Sequence, residues 1–289
     1  MIQKIDAKTR MACFIAQPAR HSSSPAIYNA AFSKLGMNYC YLSFEVPPEQ
    51  LKASIHSIMA LDMLGANISM PHKTAAAAYM DKLSPAAEMI GAVNMILNKD
   101  GALEGYNTDG EGFVVNLQEH GVNIRGKSVV LAGVGGAASA IAVQLALDGV
   151  KELRIFNVKD SFWAHGEELV GVIKENTGCR AVLNDLDDKA AFRKAVDGCD
   201  ILINGTNVGM ADLEDYSIIA DKEMLRPEMT VADVVYHPAE TALLIDAKEA
   251  GCKTVGGIGM LLYQAAANFR LYTGEEMPVE YVKNVLEID

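Results

Sequence analysis

The chain has 289 residues, 50% of them hydrophobic and 21% charged, which is the composition of a folded protein long enough for two domains and argues against disorder. A formal net charge of −12 argues against nucleic acid or an anionic membrane as partner, so an anionic ligand would need a local pocket of positive potential. Cys13, Cys40, Cys179, Cys199 and Cys252 are odd in number, scattered and without a C-x-x-C pair, so neither a disulfide framework nor a zinc site is indicated and buried reduced thiols are the expectation. Residues 1–10 mix charges of both signs before a short apolar run, unlike a signal peptide, and the expected placement is cytoplasmic.

Residues 11–16 form an apolar run of strand length, followed by a polar turn over 17–24 and a helix opened by Pro25. Ser22 and Ser24 set two hydroxyls at that helix start, where unpaired amides and the helix dipole favour a carboxylate; simple capping by Ser24 explains the same pattern. A strand over 39–45 and a helix over 48–63 follow. Gly65-Ala-Asn-Ile-Ser-Met-Pro-His-Lys73 then predicts a short strand, with a helix over 74–81. A lysine is ordinarily a solvated surface residue, but Lys73 falls at a helix start, where the dipole disfavours a cation, a useful condition for proton transfer. Asn67 and Ser69 are spaced to point with Lys73 at one ligand. His72 is expected to be an exposed helix-start residue, because no second histidine stands at metal-ligand spacing, and no metal is expected. Residues 91–98 and 103–110 read as strands flanking the turn Lys99-Asp100-Gly101, and Asp109 lies in a turn whose ordinary explanation is hydrogen bonding within the loop. A helix over 112–121 connects to the next domain.

That domain opens on Ser128-Val-Val-Leu-Ala-Gly-Val-Gly-Gly-Ala-Ala138, an apolar strand ending in Gly133-x-Gly135-x-x-Ala138 before a helical segment over 140–147. Gly133 permits the turn, Gly135 lets the main chain approach a pyrophosphate, and Ala138 lets the helix start pack close to the strand. A membrane span over 129–147 and a glycine turn without ligand are the competing readings. The next strand, 152–157, ends before Asp160, which lies 22 residues beyond Ala138, where a carboxylate accepts from the adenosine ribose hydroxyls; a helix cap is the alternative. Strands over 180–183, 201–204, 230–233 and 253–255 alternate with helices over 190–196 and 241–250, the pattern of a doubly wound parallel sheet with ligands at the strand C-terminal edges. Asn204-Gly-Thr206, Val234-Val-Tyr-His237 and Gly256-Gly257 fall at such edges. A last helix over 260–271 carries Gln264.

Seven ordered motifs now come together: His21-Ser-Ser-Ser-Pro25, Asn67-Ile-Ser-Met-Pro-His-Lys73, Gly91-Ala-Val-Asn94, Gly105-Tyr-Asn-Thr-Asp109, Gly133-Val-Gly-Gly-Ala137, Asn204-Gly-Thr206 and Gly259-Met-Leu-Leu-Tyr-Gln264. With them the chain resembles the shikimate dehydrogenase family, most closely its quinate/shikimate dehydrogenase branch. The resemblance implies an N-terminal α/β substrate-binding and catalytic domain over 1–113 and a Rossmann-type NAD(P)-binding domain over 114–261, with helices over 262–289 packing back on the first. It implies reversible oxidation of the C3 alcohol of a polyol acid, shikimate or quinate, by a monomer or homodimer. Ser22 and Ser24 would hold the substrate carboxylate, and Asn67, Ser69, Asn94, Asp109 and Gln264 the ring hydroxyls, with Tyr41 beside them. Lys73 and Asp109 would be the catalytic pair, and Val134, Gly135, Gly136, Ala137, Asn207, Val234, Val235, Tyr236, His237 and Gly257 would contact the cofactor, along with Asn157, Lys159, Asp160, Asn204 and Thr206.

NADP-binding members carry Asn-Arg-Thr after the second strand of the nucleotide domain, whereas this chain reads Asn157-Val-Lys-Asp160. Val158 removes the guanidinium and Asp160 would repel a 2′-phosphate, so NAD is expected to be favoured, with Lys159 keeping NADP possible. Ser69 and Met95 stand where the common motifs have threonine, Ser23 where they have leucine, and Asn207 where the branch can carry lysine. These departures leave the choice of polyol acid open. An amino-substituted shikimate as substrate, or a catalytically silent nucleotide-binding regulator, are the alternatives.

Overall fold

Residues 5–286 are described by the structure, a computed structural model, and they divide at Thr108/Asp109 and Tyr263/Gln264 into two units. The first unit holds β1 (Arg10–Ala16), α1 (Ser24–Lys34), β2 (Tyr39–Glu45), α2 (Leu51–Ala60), β3 (Gly65–Ile68), α3 (Lys73–Ala77), β4 (Lys82–Leu83), α4 (Pro85–Ile90), β5 (Met95–Lys99) and β6 (Ala102–Tyr106). Its sheet has the order β2-β1-β3-β5-β6-β4, with β3–β5 and β5–β6 antiparallel and the other pairs parallel. β3 is buried at all four positions, as a central strand of such a sheet must be, and Cys13, Ile15, Ile55, Ile58, Ala66 and Ile96 share one core against it.

Several boundaries move for reasons of tertiary contact. α3 stops at Ala77, short of the expected 81, because Asp81 is drawn to β6: its amide donates to Leu103 O (2.9 Å) and its carboxylate accepts from Leu103 N (2.7 Å). β5 starts at Met95 because Gly91, with φ of +69°, ends α4 in the left-handed conformation. β6 ends at Tyr106, since Asn107 and Thr108 turn their side chains to Ala92 O and Asn94.

The second unit opens on α5 (Asp109–Glu119), so Asp109 is the first residue of a helix and not part of a turn. It continues through β7 (Ser128–Ala132), α6 (Gly136–Leu147), β8 (Glu152–Asn157), α7 (Trp163–Asn176), β9 (Arg180–Asp185), α8 (Lys189–Asp197), β10 (Ile201–Asn204), β11 (Thr230–Asp233), α9 (Ala242–Glu249) and β12 (Lys253–Val255). The sheet order is β12-β11-β10-β7-β8-β9 and every pair is parallel, the expected doubly wound arrangement. α6 is apolar nearly all round because it is buried nearly all round, at Ala138 through Val143 and again at Leu145 and Ala146. It has 12 residues, and among the described residues no helix is long and apolar enough to cross a membrane. α10 (Ile258–Thr273) carries the chain from the second unit into the first, where α11 (Val279–Leu286) packs on α1.

Candidate active site

In the first unit a continuous polar network runs through the buried end of the sheet. Asn67, on β3, accepts at Oδ1 from Tyr41 Oη (2.7 Å) and Tyr272 Oη (3.1 Å). Burial holds both phenols well above their ordinary range, so both remain donors. With its carbonyl so occupied, Asn67 presents its amide, which reaches Asn94 O at 3.4 Å. Tyr28 stacks on Tyr41 with ring centroids 4.3 Å apart, its hydroxyl facing Asn67 and Asn268 without a hydrogen bond of good geometry. Asn94 accepts from Thr108 N (2.9 Å) and donates to Thr108 Oγ (3.0 Å), which donates in turn to Asn268 Oδ1 (2.8 Å). Asn268 then donates to Gln264 Oε1 at 3.0 Å, one turn back along α10. Thr108→Val leaves two buried amides short of a partner and is expected to cost about 1–3 kcal/mol of stability in denaturant melts; a loss under about 0.5 kcal/mol would contradict the network.

Lys73, at the start of α3, is half-buried and fixed through its backbone: Val93 N donates to Lys73 O at 3.0 Å, next to Asn94. The turn before it is anchored by Ser69 N on Ile15 O (3.0 Å) and by His72. His72 is only 1% exposed, with Nε2 2.8 Å from Val46 O, so the expected surface histidine is instead the buried pin that fastens this turn to the segment after β2. Ser22 Oγ accepts from Ser24 N at 3.2 Å just before α1, and the Ser24 hydroxyl lies within hydrogen-bond reach of Tyr41. Helix capping does not explain these serines, because the cap position is Ser23 and no side chain caps there.

In the second unit, Gly133 has φ of +98° and would meet Gly205 and Thr206 if it carried a Cβ, so glycine is required on both counts. Gly135 is the cap residue of α6, no side chain caps it, and open space lies beside Gly135 and Gly136. Unoccupied amides at the start of a 12-residue helix suit a pyrophosphate. The Val134 side chain is buried, so only its main chain faces the turn, while Ala137 is partly exposed. Ser139 Oγ donates to Val134 O (3.0 Å) and lies 3.0 Å from His165 Nε2, which ties the turn to α7.

At the edge of β8, Asn157 Nδ2 and Phe162 N donate to Asp160 Oδ1 at 3.1 and 2.9 Å, closing a turn. The cap position of α7 is Phe162, so Asp160 does not cap that helix. Lys159 pairs with Asp185 at 3.1 Å. At the edges of β10 and β11, Asp233 is fully buried and accepts from Val235 N (2.9 Å), Thr241 Oγ (2.8 Å) and Asn204 Nδ2 (3.0 Å). Asn204 also accepts from Thr206 Oγ at 2.7 Å, so Asn204 faces inward and shapes the loop, whereas Asn207, Tyr236 and His237 are exposed and Val234 half-exposed. Val235 is buried, and Gly257 abuts Val234 so closely that a Cβ would overlap its carbonyl. Among the described residues no group of three or more His, Cys, Asp or Glu side chains is placed to hold a metal ion. Burial pushes the Cys13 and Cys199 thiols up to about 12, out of reactive range.

Two family models match the chain: the shikimate dehydrogenase substrate binding domain over residues 14–96 and the shikimate 5'-dehydrogenase C-terminal domain over 257–287. A shikimate dehydrogenase (NADP(+)) of Streptococcus uberis (strain ATCC BAA-854 / 0140J) is 50% identical over 289 residues, 99% of this chain and 98% of that one. The chain belongs to the shikimate dehydrogenase family. The shikimate 5-dehydrogenase of Listeria monocytogenes, solved with shikimate and NAD, superposes with a TM-score of 0.97 at 47% identity over 99% of both chains. A quinate dehydrogenase of Corynebacterium glutamicum, solved with NAD, gives a TM-score of 0.86 at 29% identity over 97% of this chain and 99% of that one.

Within this member of the shikimate dehydrogenase family the network holds residues that sequence reasoning missed. Thr108 stands beside Asp109 in one motif and carries no signal of its own there. Asn268, four residues after Gln264, shares its helix face, and that spacing was the available signal. Tyr272 and Tyr28 gave no local signal, because the residues they face are distant in sequence; in the second unit Asp233 and His165 were missed as well, although two of the Asp233 donors, Val235 and Thr241, lie within eight residues of it.

Proposed function

We propose that this chain catalyses the reversible NAD(P)-dependent oxidation of shikimate to 3-dehydroshikimate, with NAD preferred and quinate as a second substrate. The observation that carries this is the network from Tyr41 through Asn67, Asn94, Thr108 and Asn268 to Gln264, which passes beside the fixed backbone of Lys73 and continues along the chain directly into Asp109. Aligned amides and hydroxyls are the groups that hold a polyol ring by its hydroxyls. Ser22, Ser24 and Ser69 complete the acid's binding set. Lys73 takes the proton of the C3 hydroxyl during oxidation and returns it during reduction, while Asp109 orients that hydroxyl and stabilises the ammonium. The nicotinamide, when bound, supplies the hydride acceptor.

The turn over 133–137, with its uncapped helix start, fits a dinucleotide, and the edge of β8 favours one without a 2′-phosphate because Asp160 and Asp185 there outnumber Lys159. Val234 to His237 and Gly257 would line the nicotinamide end. The working division is a substrate domain over 1–113 and a cofactor domain over 114–261, with the remainder returning to the first; we place the enzyme in the cytoplasm. Steady-state rates with shikimate and quinate against NAD+ and NADP+ test the proposal. Turnover of shikimate with a higher kcat/KM for NAD+ is expected. Dinucleotide binding with no turnover of either acid would overturn it and favour a regulator.

A further inference from the structure

We propose that Asp185 helps set the cofactor preference by holding Lys159 away from the place a 2′-phosphate would take. This rests on the proposed dinucleotide-binding function of the second unit. Lys159 and Asp160 leave the C-terminal edge of β8, where ribose hydroxyls are read in this class of fold. Asp185 is the last residue of the neighbouring β9 and pairs in register with Asn157, so its carboxylate stands beside that edge. Lys159 Nζ lies 3.1 Å from Asp185 Oδ2 and 5.5 Å from the centroid of the Trp163 ring, which draws the ammonium across towards β9. Asp185 is itself fixed, since its Oδ1 accepts from Asp187 N at 2.9 Å. That hydrogen bond, helped by Lys159, holds the carboxyl below its ordinary range and keeps it charged at neutral pH.

The consequence is electrostatic. Asp160 and Asp185 together outweigh the one lysine, and that lysine is already engaged. A phosphate monoester carries nearly two negative charges at neutral pH, so it meets net repulsion, whereas ribose hydroxyls do not. The ion pair is solvent-exposed, with Lys159 65% exposed, so its worth to stability is small. Its effect falls on the charge offered to the ligand. On this reading Asp160 favours ribose hydroxyls, and Asp185 keeps the adjacent lysine from fully serving a 2′-phosphate.

The chain has a single tryptophan, Trp163, at this edge, so its fluorescence reports dinucleotide binding without turnover. NAD+ and NADP+ are titrated into the full-length wild type, Asp185→Asn, Lys159→Gln and the double variant, with Asp185→Ser as a second choice should the asparagine variant fold poorly. The ratio of NADP+ to NAD+ affinity is expected to rise roughly five- to tenfold in Asp185→Asn and to return to within about twofold of wild type in the double variant. An unchanged ratio in Asp185→Asn, or a rise that persists without Lys159, overturns the role of Asp185 while leaving the dinucleotide reading intact. Failure of the wild type to bind either dinucleotide overturns that reading and this inference with it.

Discussion

Lys73→Ala is expected to lower kcat for shikimate oxidation by about 10²- to 10⁴-fold, the usual worth of a positioned general acid–base group. Main-chain and His72 contacts that help hold this turn survive the substitution: Val93 N on Lys73 O, Ser69 N on Ile15 O and His72 Nε2 beside Val46 O. The KM for shikimate is expected to change far less than kcat, since the ring would still be held by Asn67, Asn94 and Gln264. Lys73→Arg is expected to fail as badly as alanine, because a guanidinium keeps its proton and cannot serve as a base. Turnover within a few-fold of wild type in either variant would show that another group moves the proton.

Asp233→Ala is expected to destabilise the second unit by about 3 kcal/mol, since it strips a buried acceptor from three donors at once: Val235 N, Thr241 Oγ and Asn204 Nδ2. NAD+ affinity falls with it, because the same carboxylate holds together the loops after β10 and β11. Denaturant melts with and without NAD+ check both effects; stability within about 1 kcal/mol of wild type would contradict the assignment. A pH dependence accompanies this. Burial raises the Asp233 carboxyl above its ordinary range, against the opposing hydrogen bonds from Val235, Thr241 and Asn204. The folded state therefore holds the proton more tightly than the unfolded one. The carboxyl's contribution is fully present below its unfolded value and is lost as pH rises through the raised folded value. Relative to Asp233→Asn, wild-type stability should fall across that acid window and level off above it; a difference that rises with pH would be the wrong sign.

Short-range signals were the ones legible in the chain. The glycine turn over 133–138 was legible because it answers a local steric demand at Gly133, whose φ is +98° and whose place for a Cβ is filled by Gly205 and Thr206. Alternating apolar runs gave the parallel sheet of the second unit, strand for strand. What stayed hidden depends on partners far away in sequence. β4 has two residues and exists because Asp81 to Leu83 are drawn to β6, a pull no periodicity announces. His72 looked solvent-facing because its partner, Val46, is 26 residues away, and Asn67 showed no sign that two phenols would fix its amide from 26 and 205 residues off. Asp109 read as a turn residue because Thr-Asp-Gly is turn-like, yet helix α5 begins there with its carboxylate in the first turn, a favourable place for negative charge.

The central claim, that Lys73 and Asp109 act together on one alcohol, is tested most directly by a crystal structure of the wild type with shikimate and NAD+. Both the Lys73 ammonium and the Asp109 carboxylate are expected within about 3.2 Å of the C3 hydroxyl. A complex in which either group faces away, or in which the ring turns a different hydroxyl towards Lys73, would contradict it.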